Sequence, residues 1–219
     1  LEKTNLEGRM KVNTAAAILD MPKLHSPFIR KTINGKYVVT PEIDPDYQWV
    51  FDEPAVKAIE KLDGTNVSVV VENGEVTQIY NRENRVGFWS GSPIVSCLLN
   101  STEKGWLKFR DGQYYGEAVG EKIQANPLNL KDRVWMPFVL AESRLMYTSF
   151  YKHERTFENW SGWFREYLFS LMAQKYGVDK KKKIFAEGVV FYHPDGVRMA
   201  KLRRDMFDWS EETHKENKE

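Results

Sequence analysis

Between residues 67 and 80 the chain reads as two β-rich runs around a polar break. Val67, Val69 and Val71 alternate with Ser68 and Val70, and Glu72-Asn73-Gly74-Glu75 interrupts before the run to Tyr80. Asn-Gly between such runs is the strongest two-residue hairpin signal, so a hairpin is predicted here. Residues 94–109 predict a helix followed by a loop. "QYYGEAVG" (113–120) and "VWMPFVLAES" (134–143) predict short strands with polar insertions. Over 157–176, Trp160, Trp163, Phe164, Tyr167, Leu168, Leu171 and Met172 recur at spacings of three and four. That periodicity predicts one amphipathic helix packed on a sheet, its aromatic stripe serving as core rather than as a base-stacking platform. Residues 184–202 predict a second hairpin turning at Pro194-Asp195-Gly196. The first 50 residues are weakly patterned, with a short helix expected over 13–24 and a short strand over 36–40. The charged tail from Ser210 is expected to fray. Strands arranged as hairpins, with helices between them and no internal repeat, predict an α+β fold of antiparallel sheets flanked by helices, not a doubly wound parallel sheet.

Composition narrows the classes. The chain has 219 residues, 42% hydrophobic and 13% aromatic, enough for a substantial core. Its formal net charge is +1, so any affinity for a polyanion must come from a local patch. Cys97 is the single cysteine, which excludes an internal disulfide and suits the cytoplasm or another reducing intracellular compartment. His25, His153, His193 and His214 lie far apart and lack metal-ligand spacing. No apolar run of membrane-spanning length and no signal-peptide pattern occurs, so no membrane partner is expected.

Candidate chemistry concentrates in "EKLDGTNVSVV", residues 60–70. Lys and Asp are poor strand formers, yet they stand at the shoulder of a buried β-branched run. A lone lysine there is ordinarily a solvated strand end. A lysine leading into a buried strand can instead line a cleft, and desolvation favours the neutral, nucleophilic amine. Four residues of the Lys-x-Asp-Gly type recur by chance. The longer "EKLDGTNVS" resembles the nucleotidyl-attachment motif of the covalent nucleotidyltransferases, the polynucleotide ligases and messenger-RNA capping enzymes. Its Glu-Lys-x-x-Gly-Thr-Asn-x-Ser form is most similar to the RNA ligases, especially the phage double-strand RNA-repair type.

Further matches follow in order. "YNRENR" has Asn81-Arg82 where the family places an arginine contacting the nucleotide and strand end, with Arg85 a neighbouring competitor. "YYGEAVGEKIQAN" resembles the Gly-Glu motif and nominates Glu117. Phe138 in "VWMPFVLAES" takes the place of the aromatic that stacks on the purine. "AEGVVFYHPDG" nominates Glu187, and "MAKLRRDMFDW" nominates Lys201 and Arg203. The stretch from Glu187 to Trp209 is also similar to the vertebrate ATP-dependent RNA ligase. Arg203 departs from the lysine of the phage-type enzymes. An Arg is a planar fork where a Lys is a point charge, so the phosphate contact differs.

The resemblance implies a nucleotidyltransferase (adenylation) domain over 51–209, an N-terminal segment 1–50 without an assigned role and a charged tail 210–219. No OB-fold domain is expected in the ten residues after the last motif. It further implies an ATP-dependent ligase that joins 5′-phosphate to 3′-hydroxyl ends of RNA, at nicked or broken duplexes, with Mg²⁺ or Mn²⁺. Lys61 would be the nucleophile, Asp63 its orienting acceptor, and Lys201 and Arg203 would hold the α-phosphate, Lys201 thereby also binding the nucleotide. Glu60, Asn66, Arg82, Glu117 and Phe138 would bind the nucleotide, and Glu187 the metal. Glu60 in particular would accept from the N6 amino group of adenine and repel guanine O6, unless it points to solvent from the strand end. A minimal DNA ligase, a guanylyltransferase and a non-catalytic nucleic-acid-binding relative are the alternatives. The four-lysine run 180–183 reads as a solvated loop or a duplex-backbone grip.

Overall fold

A computed structural model describes residues 18–152 and 154–211. In chain order the elements are β1 (Phe28–Ile33), β2 (Lys36–Ile43), α1 (Trp49–Asp52), β3 (Lys57–Lys61), β4 (Thr65–Glu72), β5 (Glu75–Asn81) and β6 (Asn84–Arg85). They continue with α2 (Pro93–Glu103), β7 (Gly112–Val119), β8 (Val134–Pro137), α3 (Phe138–Arg144), α4 (Phe157–Glu166), α5 (Leu171–Tyr176), β9 (Gly188–Tyr192) and β10 (Met199–Arg203). Every strand pairing is antiparallel, in sheets ordered β1-β2, β10-β9-β3 and β6-β5-β4-β7-β8. The fold is therefore a mixed α/β one with antiparallel sheets. None of the described helices is long and apolar enough to cross a membrane.

The chain divides into two compact units. Among the described residues, the first comprises 18–23, 62–144 and 172–182, and the second comprises 24–61, 145–152, 154–171 and 183–211. The first unit is built on the five-stranded sheet. Val67, Val69 and Val71 lie on one face of β4 because side chains alternate along a strand. They bury against Ile94, Cys97 and Leu98 of α2 and against Trp135. Ser92 caps α2, accepting from the Ile94 N–H at 3.3 Å. Ser101 fastens that helix to β8, donating to the Trp135 carbonyl and accepting from its N–H, both at 2.9 Å. The β4–β5 turn is the predicted Asn73-Gly74, with φ of 53° and 78°, as the I′ type requires. Burial pushes the Cys97 thiol up to about 12, so this cysteine is an inert core side chain.

The second unit has an aromatic core. Trp160 stacks on Phe191 with centroids 5.0 Å apart and on Phe51 at 5.0 Å, and Phe28 meets Trp160 edge-on at 5.6 Å. Phe28, Val39 and Val50 all belong to this core, so residues 24–50 supply part of its packing.

Two predicted elements differ from the structure. The helix over 157–176 is two helices, interrupted between Glu166 and Leu171. There the backbone bonds sideways: the Ser170 N–H reaches the Ile184 carbonyl at 2.7 Å, and the Ala186 N–H reaches Leu168 at 2.9 Å. Apolar spacing runs through the break because Trp160, Trp163, Phe164, Leu168 and Met172 are all buried, whereas Tyr167, expected in the same core stripe, is 65% exposed; periodicity does not report a sheet-like bridge that takes the helical donors. Likewise 134–143 is a strand only to Pro137, after which α3 begins. Proline has no N–H to extend the ladder, and Leu140, Ala141 and Glu142 are good helix formers. The predicted helix over 13–24 lies largely outside the described residues, and the described part, 18–24, is irregular.

The β9–β10 hairpin turns at the predicted place. Asp195 accepts from the N–H groups of Val197 (2.8 Å) and Arg198 (3.0 Å) and from Arg198 Nε (2.7 Å). Burial opposes the carboxylate, but the hydrogen bonds from Arg198 and Val197 outweigh it and hold the carboxyl well below its usual range. A depressed carboxyl adds stability above its unfolded-state value of about 3.9. That contribution is lost as pH falls below this value toward the folded-state one. Thermal melts of Asp195→Asn are expected to show a lower Tm than the native chain at pH 7, with the gap narrowing on acidification through pH 4 to 2.

Candidate active site

In the second unit the chemistry gathers at one end of the β10-β9-β3 sheet. Lys61, Gly188 and Arg203 stand opposite one another across the three strands, and Ile59, Val190 and Lys201 form a parallel rung two residues back. Cross-strand partners and residues two apart share a face, so Lys61, Lys201 and Arg203 all lie on the same side. The other side faces the aromatic core through Ala58, Val189, Phe191, Ala200 and Leu202. Glu187, just before β9, accepts from Lys61 Nζ through Oε2 at 2.5 Å, and its Oε1 lies 3.6 Å from the Arg203 guanidinium. Arg203 also pairs with Asp205 at 2.8 Å. Its Nε is buried with no hydrogen-bond acceptor among the described residues. Three cations and two carboxylates thus share this rim, an arrangement suited to an anion, and the orphaned Nε is a donor that an anion would satisfy.

Gly188 makes the rung possible. A Cβ there would stand 2.2 Å from the Leu202 carbonyl oxygen and 2.8 Å from Arg203 Cα. Only glycine allows β9 to lie this close to β10 at the level of Lys61 and Arg203.

Glu60 is on the opposite side of β3 from Lys61. It is 3% exposed, and Ser170 Oγ donates to its Oε1 at 2.5 Å. Its negative charge, after burial itself, raises the Tyr147 hydroxyl far above its usual range. The reading of Glu60 as a solvent-pointing strand end is therefore overturned. A buried carboxylate with a fixed hydroxyl donor is the observed state.

The first unit holds the remaining candidates. Asn66 on β4 faces Glu117 on β7, and Glu117 in turn faces Met136 on β8, so one rung carries all three. Asn66 and Glu117 are both half-buried. Phe138 is half-buried at the start of α3, immediately after β8. Asp63 is half-buried in the segment entering β4. The next residue, Gly64, lies against β7, where a Cβ would meet the Ala118 carbonyl oxygen at 2.1 Å. Arg82 sits at φ 55° in the β5–β6 turn and pairs with Asp20 at 3.4 Å. Arg85 is exposed on β6, paired with Tyr80.

Asp205, Ser170 and Asp20 were not candidates from sequence. Asp205 follows Arg203 by two residues, a spacing that could have flagged it. Ser170 and Asp20 carry no local signal, since their partners are 110 and 62 residues away.

No protein-family model matches the chain, and no curated protein matches it. Solved structures do. An apo point mutant of the RNA ligase of Naegleria gruberi superposes with a TM-score of 0.51 at 17% identity, covering 97% of this chain and 62% of that one. A second apo mutant of that ligase gives 0.51 at 16% identity, covering 99% and 64%. The likeness is one of fold, and this chain spans less than two thirds of the length of those ligases.

Proposed function

We propose that this chain is the nucleotidyltransferase part of an ATP-dependent RNA ligase. The observation that carries the reading is the Lys61–Gly188–Arg203 rung with Glu187 against Lys61. A lysine held by a carboxylate and flanked by cations, at the end of a sheet, is what nucleotidyl transfer to an amine needs. The fold likeness to an RNA ligase and the ordered motifs from Glu60 to Arg203 support it.

In the first step the Lys61 amine, after losing a proton, attacks the α-phosphorus of ATP. An N–P bond forms, the bond to the β-phosphate bridge breaks, and pyrophosphate leaves. The AMP then passes to a 5′-phosphate on RNA, regenerating the lysine. Attack of a 3′-hydroxyl on that phosphate seals the strand and releases AMP. Catalysis of phosphoryl transfer is mostly positioning and charge neutralisation. Arg203 and Lys201 supply cations toward the α-phosphate, and Glu187 holds the Lys61 side chain in place. Asp63 orients groups around Lys61. Asn66 and Glu117 bind the nucleoside hydroxyls, Phe138 stacks on the base and Arg82 contacts the nucleotide, while Glu60, buried on the other side of β3 against Ser170, braces the strand that carries Lys61 instead of reading the adenine amine.

The donor set fits a divalent ion, Mg²⁺ or Mn²⁺. Among the described residues no group of three acidic, His or Cys side chains forms a metal cage. A single carboxylate completed by water and phosphate oxygens is how Mg²⁺ is commonly held beside nucleotides. Glu187 would hold it, and it would neutralise charge building on the phosphates.

The direct test is incubation with ATP or GTP labelled at the α-phosphate and a divalent ion, followed by denaturation. The expected result is acid-labile label on the protein from ATP, none from GTP, and none once the metal is chelated. Label from neither nucleotide refutes the enzyme reading, and label from GTP redirects it to capping. Sealing of nicked duplexes should prefer an RNA 3′-hydroxyl end, and equal sealing of DNA would remove the RNA selectivity.

A further inference from the structure

Of the seven tryptophans, five are at most 9% exposed, whereas Trp89 is 99% exposed. Its neighbour Phe88 is 41% exposed. Leaving an indole in water forfeits one of the largest burial gains a side chain can make, so a fully exposed Trp marks a contact surface. The loop that carries it is tied at both ends. The Val86 N–H donates to the Ile79 carbonyl at 2.8 Å and Val86 packs on the core of the first unit, while Ser92 caps α2. Between these anchors the Ser90 N–H closes a turn onto the Gly87 carbonyl at 3.1 Å, and Gly91 has φ of 68°. Five residues held this way present the indole outward.

The surroundings select the occupant. No aliphatic side chain occurs from 87 to 92, only Gly, Phe, Trp and Ser. Just before the loop stand two exposed guanidinium groups, Arg82 in the β5–β6 turn and Arg85 on β6. Arg82 makes an exposed ion pair of 3.4 Å to Asp20, an interaction of small worth that an incoming phosphate can displace. Trp89 is four residues beyond Arg85, at most about 14 Å along the chain. An isolated aromatic face beside cations, without an aliphatic rim, suits an unpaired nucleobase with its phosphate on the arginines. A protein partner would call for a wider apolar patch.

We infer that the 87–91 loop binds a single-stranded segment of the RNA, Trp89 stacking on an unpaired base while Arg82 and Arg85 hold the adjoining phosphates. This deepens the ligase reading and rests on it for the choice of RNA. Trp89→Ala removes no core contact, so the variant should fold.

The probe is a fluorescently labelled, 5′-phosphorylated single-stranded RNA titrated with the full chain at fixed salt. Trp89→Ala is expected to raise Kd about 5- to 100-fold, the range that loss of one stacked base spans. Trp89→Phe should recover most of it, and label transfer from ATP to Lys61 should stay at the native level. Unchanged RNA affinity in Trp89→Ala overturns the inference, as does a native chain that binds no RNA. A native dimer that dissociates in Trp89→Ala, with RNA affinity intact, would assign the loop to a second copy and overturn it too. If the native chain binds RNA but takes no AMP, the ligase reading fails, and the Trp89 comparison still decides the loop.

Discussion

Replacing Lys61 by alanine is expected to abolish transfer of AMP to the protein, lowering label incorporation by a factor of about 10³ or more. Among the described residues, the neighbouring amine on this face, Lys201, cannot substitute without rebuilding the rung. Lys201 stands two residues back in register, opposite Ile59 through Val190, rather than at the level of Glu187 and Arg203. Lys61→Arg should be equally inactive, because a guanidinium keeps the charge and the pairing to Glu187 but stays protonated. That pair of variants separates nucleophile from structural cation: a purely structural role would leave the arginine variant active. Glu187→Gln should keep the strand geometry while weakening the grip on Lys61 and the divalent ion. Its deficit is expected to shrink partly at high metal concentration. Circular dichroism should report native folding for all three, since each side chain lies on the face opposite the aromatic core.

Gly188→Ala is expected to be damaging in a different way. The added methyl must displace the Leu202 carbonyl, which belongs to the backbone of β10 and cannot rotate aside. Relieving a clash of this depth means separating β9 from β10, at a cost of about 3 kcal/mol or more. Urea unfolding should show a lower midpoint at unchanged slope, the loss in midpoint times that slope giving the energy cost. Label transfer should fall even where the variant is still folded, because Arg203 and Lys61 are held at their mutual distance by the strand between them. A variant that melts at the native midpoint would show that the rung tolerates spreading. In that case its closeness would not be what positions the lysine.

Much of the secondary structure was legible because it is written in local rules. The Asn73-Gly74 hairpin and the Pro194-Asp195-Gly196 turn follow from backbone preferences of a few residues, and both occur where expected. The two departures have different causes. At 166–171 partners distant in sequence take the backbone groups out of the helix, and periodicity records burial but not the partner. At Pro137 the missing N–H ends the ladder, and the helix formers that follow begin α3. The candidate site was legible as a set of residues, through the resemblance of its motifs. Its grouping was not: Lys61 and Glu187 are 126 positions apart, and nothing local announces a 2.5 Å contact.

Glu60 and Lys61 show where the division falls. Alternation along a strand dictates, from sequence alone, that adjacent residues point to opposite sides. Sequence also determined that a lysine would stand at the end of a strand, followed by a tight Gly-containing turn into a valine-rich one. Which side is core depends on what packs there, and only the fold brought Ser170 against Glu60 and Glu187 against Lys61. Local sterics set turns and strand faces residue by residue. Charge pairing across a sheet is settled by register between strands far apart in the chain, which the tertiary structure alone supplies.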